Sequence, residues 1–228
     1  ADIGGYGGPR AGRMGGSNSI DVTTDDTFQD IVDSGYPGDS IIITSGNYTL
    51  SSPVSLKEEQ SVYGTGIEDV TIKVTGTNAF NAENTTVFEN FHIDGNGSDG
   101  IRANNVENIS FKNLLITDAS DGLDIDGSTT VVAKNITFYN STTGIKSTGG
   151  SSVKADYNII FGASTGFSNS GGTMDAKYNL FFSNGTDLFG SITKSNTVFL
   201  DPFFRDVGDS NYLPSPNSNA IDIDGTKE

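Results

Sequence analysis

Apolar residues recur along this chain in registered columns. Between residues 84 and 200 the segments FENFHIDG, FKNLLITD, AKNITFYN, DYNIIFGA and KYNLFFSN align, each with an asparagine in third place: Asn90, Asn113, Asn135, Asn158 and Asn179. A second column, Ile101, Leu123, Ile145, Phe167 and Phe189, repeats every 22 residues. A third is Ile93, Ile116, Phe138, Phe161 and Phe182, and a fourth is Phe91, Leu114, Ile136, Ile159 and Leu180. Within a row the apolar positions alternate at period two, as strands require. A 22-residue unit is too short for a helical hairpin. One turn of a parallel β-helix satisfies both constraints, with coils stacked about 4.8 Å apart. The apolar columns are then expected inside. The Asn column is expected at a turn, where asparagine tolerates left-handed φ and its amide can bond the coil above or below.

Outside these rows the pattern loosens. SIIITSGNYTL, PVSLKEEQSVYGTG and VTIKVTG read as earlier coils. Residues 26–35 read as the one helix, with Asp26 available as cap, Gln29 three residues later, and Phe28, Ile31 and Val32 as a short apolar face. A helix there would cover the open end of the solenoid, where unpaired strand edges invite aggregation. Residues 193–228 lose the repeat and read as an irregular C-terminal cap. Residues 1–16 read as a short strand and a Gly-rich tether, expected to dock on a neighbouring subunit, and 17–228 read as the β-helix domain.

Composition agrees with an all-β chain rich in turns: 29 Gly and few strong helix formers. Thirteen Lys and Arg against 29 Asp and Glu give a net charge of -16. That excludes a general attraction to nucleic acid or to anionic membranes, and leaves divalent cations or basic partners. There is no Cys, so disulfides and thiolate chemistry are excluded. No apolar run reaches the roughly 20 residues of a membrane helix. The chain opens at Ala1 without a Met or an apolar leader, so any targeting segment is expected to have been removed or not included.

The helical stretch followed by PGDSIIITSGNYTL and SVYGTG, the Asn-bearing coils, and DPFFRD with NYLPSPNSNAID together resemble right-handed parallel β-helix proteins of the pectate-lyase-like superfamily. More narrowly they are similar to extracellular surface proteins built from such domains, over residues 17 to 228. The resemblance implies a fold class of right-handed parallel β-helix. It also brings lyases, hydrolases and epimerases of acidic polysaccharides into consideration. β-Elimination from a uronic acid needs a cation on the carboxylate, usually Ca²⁺ held by Asp or Glu, and an Arg or Lys base.

The repeat places Arg102, Asp124 and Lys146 on three adjacent coils, as a basic site or as a surface ion ladder between strands. Asp121, Asp124 and Asp126 in SDGLDIDGS, and Asp222 and Asp224 in IDIDG, set carboxylates near a glycine, as a Ca²⁺ site or as ordinary Asp-Gly turns. The single histidine, His92, is one position off the apolar columns and is expected to face outward without a role. Asn-X-Ser/Thr occurs at Asn47, Asn84, Asn96, Asn108, Asn135, Asn140 and Asn184. Asn135 belongs to the Asn column and is expected to be enclosed; the others fit glycosylated turns of a secreted or cell-surface protein.

The two ends of the chain read as one phrase. The last residues, AIDIDGTKE, stop where the resemblance calls for a strand like the ADIGGYGG that opens the chain. Ile3 and Tyr6 are the apolar residues of that strand, and Ile221 and Asp222 mark the place it would dock. Three arrangements are open: docking on the next molecule, a covalent tandem array, and a return along the same chain. Docking makes the protein its own partner, in a head-to-tail homopolymer. Two functions therefore compete. One is a structural extracellular protein that assembles into a filament. The other is a lyase, epimerase or binding module for acidic polysaccharide.

Overall fold

The computed structural model describes residues 18–206 and 211–220. It is a parallel β-helix with three walls. A representative coil runs Asp99–Asn104 on the first wall, Ile109–Lys112 on the second and Leu115–Thr117 on the third, before Asp121–Asp126 returns to the first. Every neighbouring pair of solenoid strands is parallel, as in Ile101 beside Leu123 and Leu123 beside Ile145, with a register shift in the last pair between Asn169 and Met174. The third wall is a seven-stranded sheet. The first and second walls join into one sheet of 14 strands because the strand Thr165–Lys177 turns the corner unbroken.

The interior follows the alternation. Phe80, Ile101, Leu123, Ile145 and Phe167 stack on the first wall, each with 0% exposure. On the third wall the inner column is Ile72, Ile93, Ile116, Phe138, Ile160 and Phe181. This corrects the sequence alignment in its last rows. Phe161 and Phe182 stand one position outside that column, stacked on each other beyond Tyr139. The last coil is one residue shorter than the 22-residue unit, so Leu188 and not Phe189 pairs with Phe167, and Phe189 is 58% exposed.

The Asn column divides in the same place. Asn90, Asn113 and Asn135 occupy a corner with φ of 66°, 48° and 55°, and Asn135 donates its Nδ2 to Asn113 Oδ1 at 3.2 Å. In the next two coils that corner is held by Tyr157 and Tyr178, at φ 58° and 55°. Asn158 and Asn179 follow them and point inward, fully buried beneath Leu114 and Ile136. Inside an apolar core they are tolerable because their amides are used. Ile136 N and Asn158 N each donate to the Asn Oδ1 one coil on, both at 2.9 Å. Asn158 Nδ2 reaches Ala133 O and Asn179 Oδ1, and Asn179 Nδ2 reaches Ala155 O.

The helix spans Phe28–Ser34 and starts from Thr27, which makes no side-chain cap. Asp26 instead accepts from Thr23 N and Oγ1 in the preceding turn, and Gln29 clasps the Ser55 backbone through its amide. Phe28 and Val32 are buried, with the Phe28 ring edge-on to Phe80 at 5.5 Å. Lys57 Nζ and Gln60 Nε2 satisfy the carbonyls of Asp33, Gly35 and Val32 at the end of the helix. The helix closes the N-terminal end, as the sequence indicates. Among the described residues no helix is long and apolar enough to cross a membrane.

Candidate functional site

Two places on this frame bring chemistry together: a charged cluster on the first wall and the C-terminal end of the solenoid.

Outward positions of the first wall stack Asn81, Arg102, Asp124, Lys146, Ser168 and Phe189 on successive coils. The predicted ladder of Arg102, Asp124 and Lys146 is present. Arg102 Nε lies 3.1 Å from Asp124 Oδ2 and its Nη2 lies 3.0 Å from Asp99 Oδ2. Lys146 Nζ lies 2.7 Å from Asp121 Oδ2 and 3.3 Å from Asp124 Oδ1. Both cations are thus held by two carboxylates each. The hydrogen bond from Lys146 to Asp121 raises the lysine above its ordinary pKa, away from the range of a base working near neutrality. Burial raises Asp99, which also accepts from Asp121 N at 3.2 Å.

Carboxylate oxygens of Asp99, Asp121 and Asp124 lie within 4.8 Å of one another. Asp99 is the member that sequence reasoning missed, although it stands 22 residues before Asp121 in the repeat. Asp126 lies apart at the corner, where its Oδ1 accepts from Gly127 N at 2.7 Å and Thr148 Oγ1 at 2.5 Å. Ca²⁺ takes six to eight oxygens. The three carboxylates here already accept from Arg102 and Lys146, so the donor set does not fit a resident Ca²⁺. Asp222 and Asp224 lie outside the described residues, as do Ile3, Tyr6 and Ile221.

Of the sequons, Asn47, Asn96, Asn108 and Asn140 are exposed, and Asn84 and Asn184 half-buried. Asn135, expected to be enclosed, is exposed because only the later rows of its column turn inward. Asn184 is committed to the fold. Its Nδ2 donates to Ile160 O and Asp187 Oδ1, and its Oδ1 accepts from Ala163 N. His92 faces outward between Thr71 and Leu115 in register, as the sequence indicates.

The C-terminal end is built differently from the N-terminal one. The last solenoid strand, Thr186–Ser195, pairs with Thr165–Lys177 on one side, and among the described residues no strand pairs with its other side. Beyond it Phe199 stacks on Phe181 at 5.9 Å, with Lys194 Nζ 4.9 Å from the Phe199 ring. Phe189, Phe199, Leu200 and Phe203 are 48–58% exposed. The described part of the expected C-terminal cap covers this end in part, through Val198 bridged to Leu180 and Phe199 on Phe181. Its antiparallel pair, Phe204–Asp206 with Asn211–Pro214, lies along the third wall, where Tyr212 meets Tyr139 at 4.6 Å and Phe204 meets Phe161 at 5.7 Å.

Residues 62–209, more than half of the chain, match the family described as right handed beta helix region. No curated protein is a match in sequence. Among solved structures the chain is similar to a PL6 family alginate lyase, AlyGC, with a TM-score of 0.61 and 14% identity over 79% of this chain and 33% of that one. An alginate lyase from Paenibacillus sp. str. FPU-7 gives 0.55 and 15%, covering 81% and 88%. The catalytic unit of a GH87 α-1,3-glucanase from Streptomyces thermodiastaticus strain HF3-3 gives 0.53 and 18%, covering 80% and 43%. The chain therefore spans a third of the length of the first of these and less than half of the glucanase. At such identities the likeness shows a shared β-helix fold.

Proposed function

The chain belongs to the family of right-handed β-helix regions, and from that premise we propose that it is a structural extracellular protein. It forms a rigid rod that assembles head to tail, each copy donating its N-terminal strand to the C-terminal end of the next. One observation carries the reading: the helix Phe28–Ser34 lies over one end of the solenoid, with Phe28 against Phe80, while at the other end the ten-residue strand Thr186–Ser195 has no partner on its outer side among the described residues and Phe189 and Phe199 are exposed. A long edge left open is a template for pairing with another chain. Donor and acceptor lie at opposite ends, so the contact is heterologous and propagates instead of closing. The exposed sequons fit an extracellular glycoprotein. Removing residues 1–9 tests the proposal by light scattering and electron microscopy. The intact protein should form filaments and the shortened one should stay monomeric; a shortened protein that still polymerises would overturn strand donation.

A second reading, a lyase, epimerase or binding module for acidic polysaccharide, draws on the alginate lyases that share the fold. The first-wall cluster argues against it. Three carboxylates against two cations leave it net negative, and the lysine is held protonated. Pectate and alginate with Ca²⁺ should give no rise in unsaturated-uronate absorbance. Activity that disappears in Arg102→Ala or Lys146→Ala would replace the structural reading.

A further inference from the structure

We infer that the acceptor in this assembly is the free edge of the last solenoid strand, Thr186–Ser195, together with Phe189, Phe199, Leu200 and Phe203, and that its occupant is residues 2–6 of a second copy. The inference rests on the head-to-tail reading and fixes the surfaces that meet.

The edge is 10 residues long and unpaired on its outer side among the described residues. Every solenoid strand before it carries its neighbour in parallel, so one more parallel strand continues the same hydrogen-bond ladder. Exposed apolar residues in this strand and in the segment that follows it need cover as well. Phe189 faces out in the last coil because that coil is one residue short, and Phe199 has one ring face on Phe181. In the segment Asp2-Ile3-Gly4-Gly5-Tyr6 a branched aliphatic and an aromatic residue are available to lie over this patch.

Charge favours the same pairing. Residues 196–228 carry six acidic residues (Asp201, Asp206, Asp209, Asp222, Asp224, Glu228) and two basic ones (Arg205, Lys227), a balance of 2 − 6 = −4. Residues 1–17 carry Arg10 and Arg13 against Asp2, a balance of +1, in a chain of net charge -16. The positive charge lies on the tether, at Arg10 and Arg13, while residues 2–6 carry only Asp2, so it is the tether and the last 33 residues that attract each other when ends meet.

Reach decides between a second copy and the same molecule. Among the described residues the second wall holds nine rungs, from Ser19–Val22 to Thr186–Ser195. A strand docked beyond the last of them lies nine steps of about 4.8 Å from the first, roughly 43 Å. Gly7–Ser17 spans at most about 36–40 Å when fully stretched. A return along the same solenoid therefore overreaches even a straight Gly-rich tether. A neighbour stacked end to end needs only a slack one.

The absence of cysteine makes the test clean. Full-length Ile3→Cys and Leu200→Cys proteins are mixed and mildly oxidised, beside a control pairing Ile3→Cys with Val132→Cys on the side of the solenoid. The disulfide-linked heterodimer should exceed the control by about tenfold or more. The double variant Ile3→Cys/Leu200→Cys should give a ladder of covalent oligomers. A heterodimer yield equal to the control overturns the acceptor, and so does a double variant that closes into an oxidised monomer. Filaments that form without the cross-link sink this surface alone. The cross-link without filaments upholds it and removes the filament.

Discussion

His92 is the only histidine of the chain, and its ring sits between two threonines, with Nδ1 3.5 Å from Thr71 Oγ1 and Nε2 2.9 Å from Thr117 Oγ1. Burial lowers its pKa, against the opposing pull of the Asp94 and Asp118 carboxylates. A depressed folded pKa means that the stability it contributes is present above the ordinary value of 6.5 and is lost as pH falls through the folded value. Its single ring signal in a nuclear magnetic resonance titration should show a midpoint below 6.5; a midpoint at or above 6.5 would show an open, carboxylate-dominated ring. The sequence told that His92 faces outward. It was silent on the packing around the ring, which depends on residues two coils apart. The corner residues teach the same lesson. Asparagine marks the left-handed corner correctly at Asn90, Asn113 and Asn135. Tyr157 and Tyr178 then take it, although bulky residues rarely adopt positive φ, and stack at 4.8 Å with a 9° tilt under Lys134. Counting residues around the coil decides which of two neighbours turns the corner, and local propensity follows.

Strands are where the repeat was most legible and where a slip of one residue mattered most. A single shift moves every side chain to the other face of a sheet. Phe161 and Phe182 look equivalent to Phe138 in the sequence, yet Ile160 and Phe181 hold the interior positions. The misleading signal was three consecutive apolar residues in each of the last rows, Ile159-Ile160-Phe161 and Leu180-Phe181-Phe182, which carry no alternation. Phe181→Ala should therefore cost about 3–5 kcal/mol, as large-to-small core changes do. Phe161→Ala, on the outer aromatic column, should cost about 1–2 kcal/mol. Asn179→Ala should also be severe, about 2–4 kcal/mol, because it strands the Asn158 N–H groups in the core. Urea unfolding midpoints measure all three, and equal losses for Phe161→Ala and Phe181→Ala would refute the register described here.

As a whole molecule the chain is acidic, and its described residues form one solenoid. The helix over the first coil was legible from its short apolar face, even though its start at Thr27 and the turn built by Asp26 were not. The ion ladder was legible from the 22-residue spacing, and Asp99 joined it through the same spacing. The path of the tail was hidden, because its prolines read as a cap and only the fold lays its described strands along the third wall. Assembly through the C-terminal end makes a geometric demand that cryo-electron microscopy of the intact protein measures directly. Stacked end to end, solenoids of nine rungs at about 4.8 Å each should give a polar, single-stranded filament. Its strands should run perpendicular to the filament axis, with an axial repeat of roughly 40–55 Å per subunit. Solenoids packed side by side, or a protein that stays monomeric at high concentration, would contradict head-to-tail assembly.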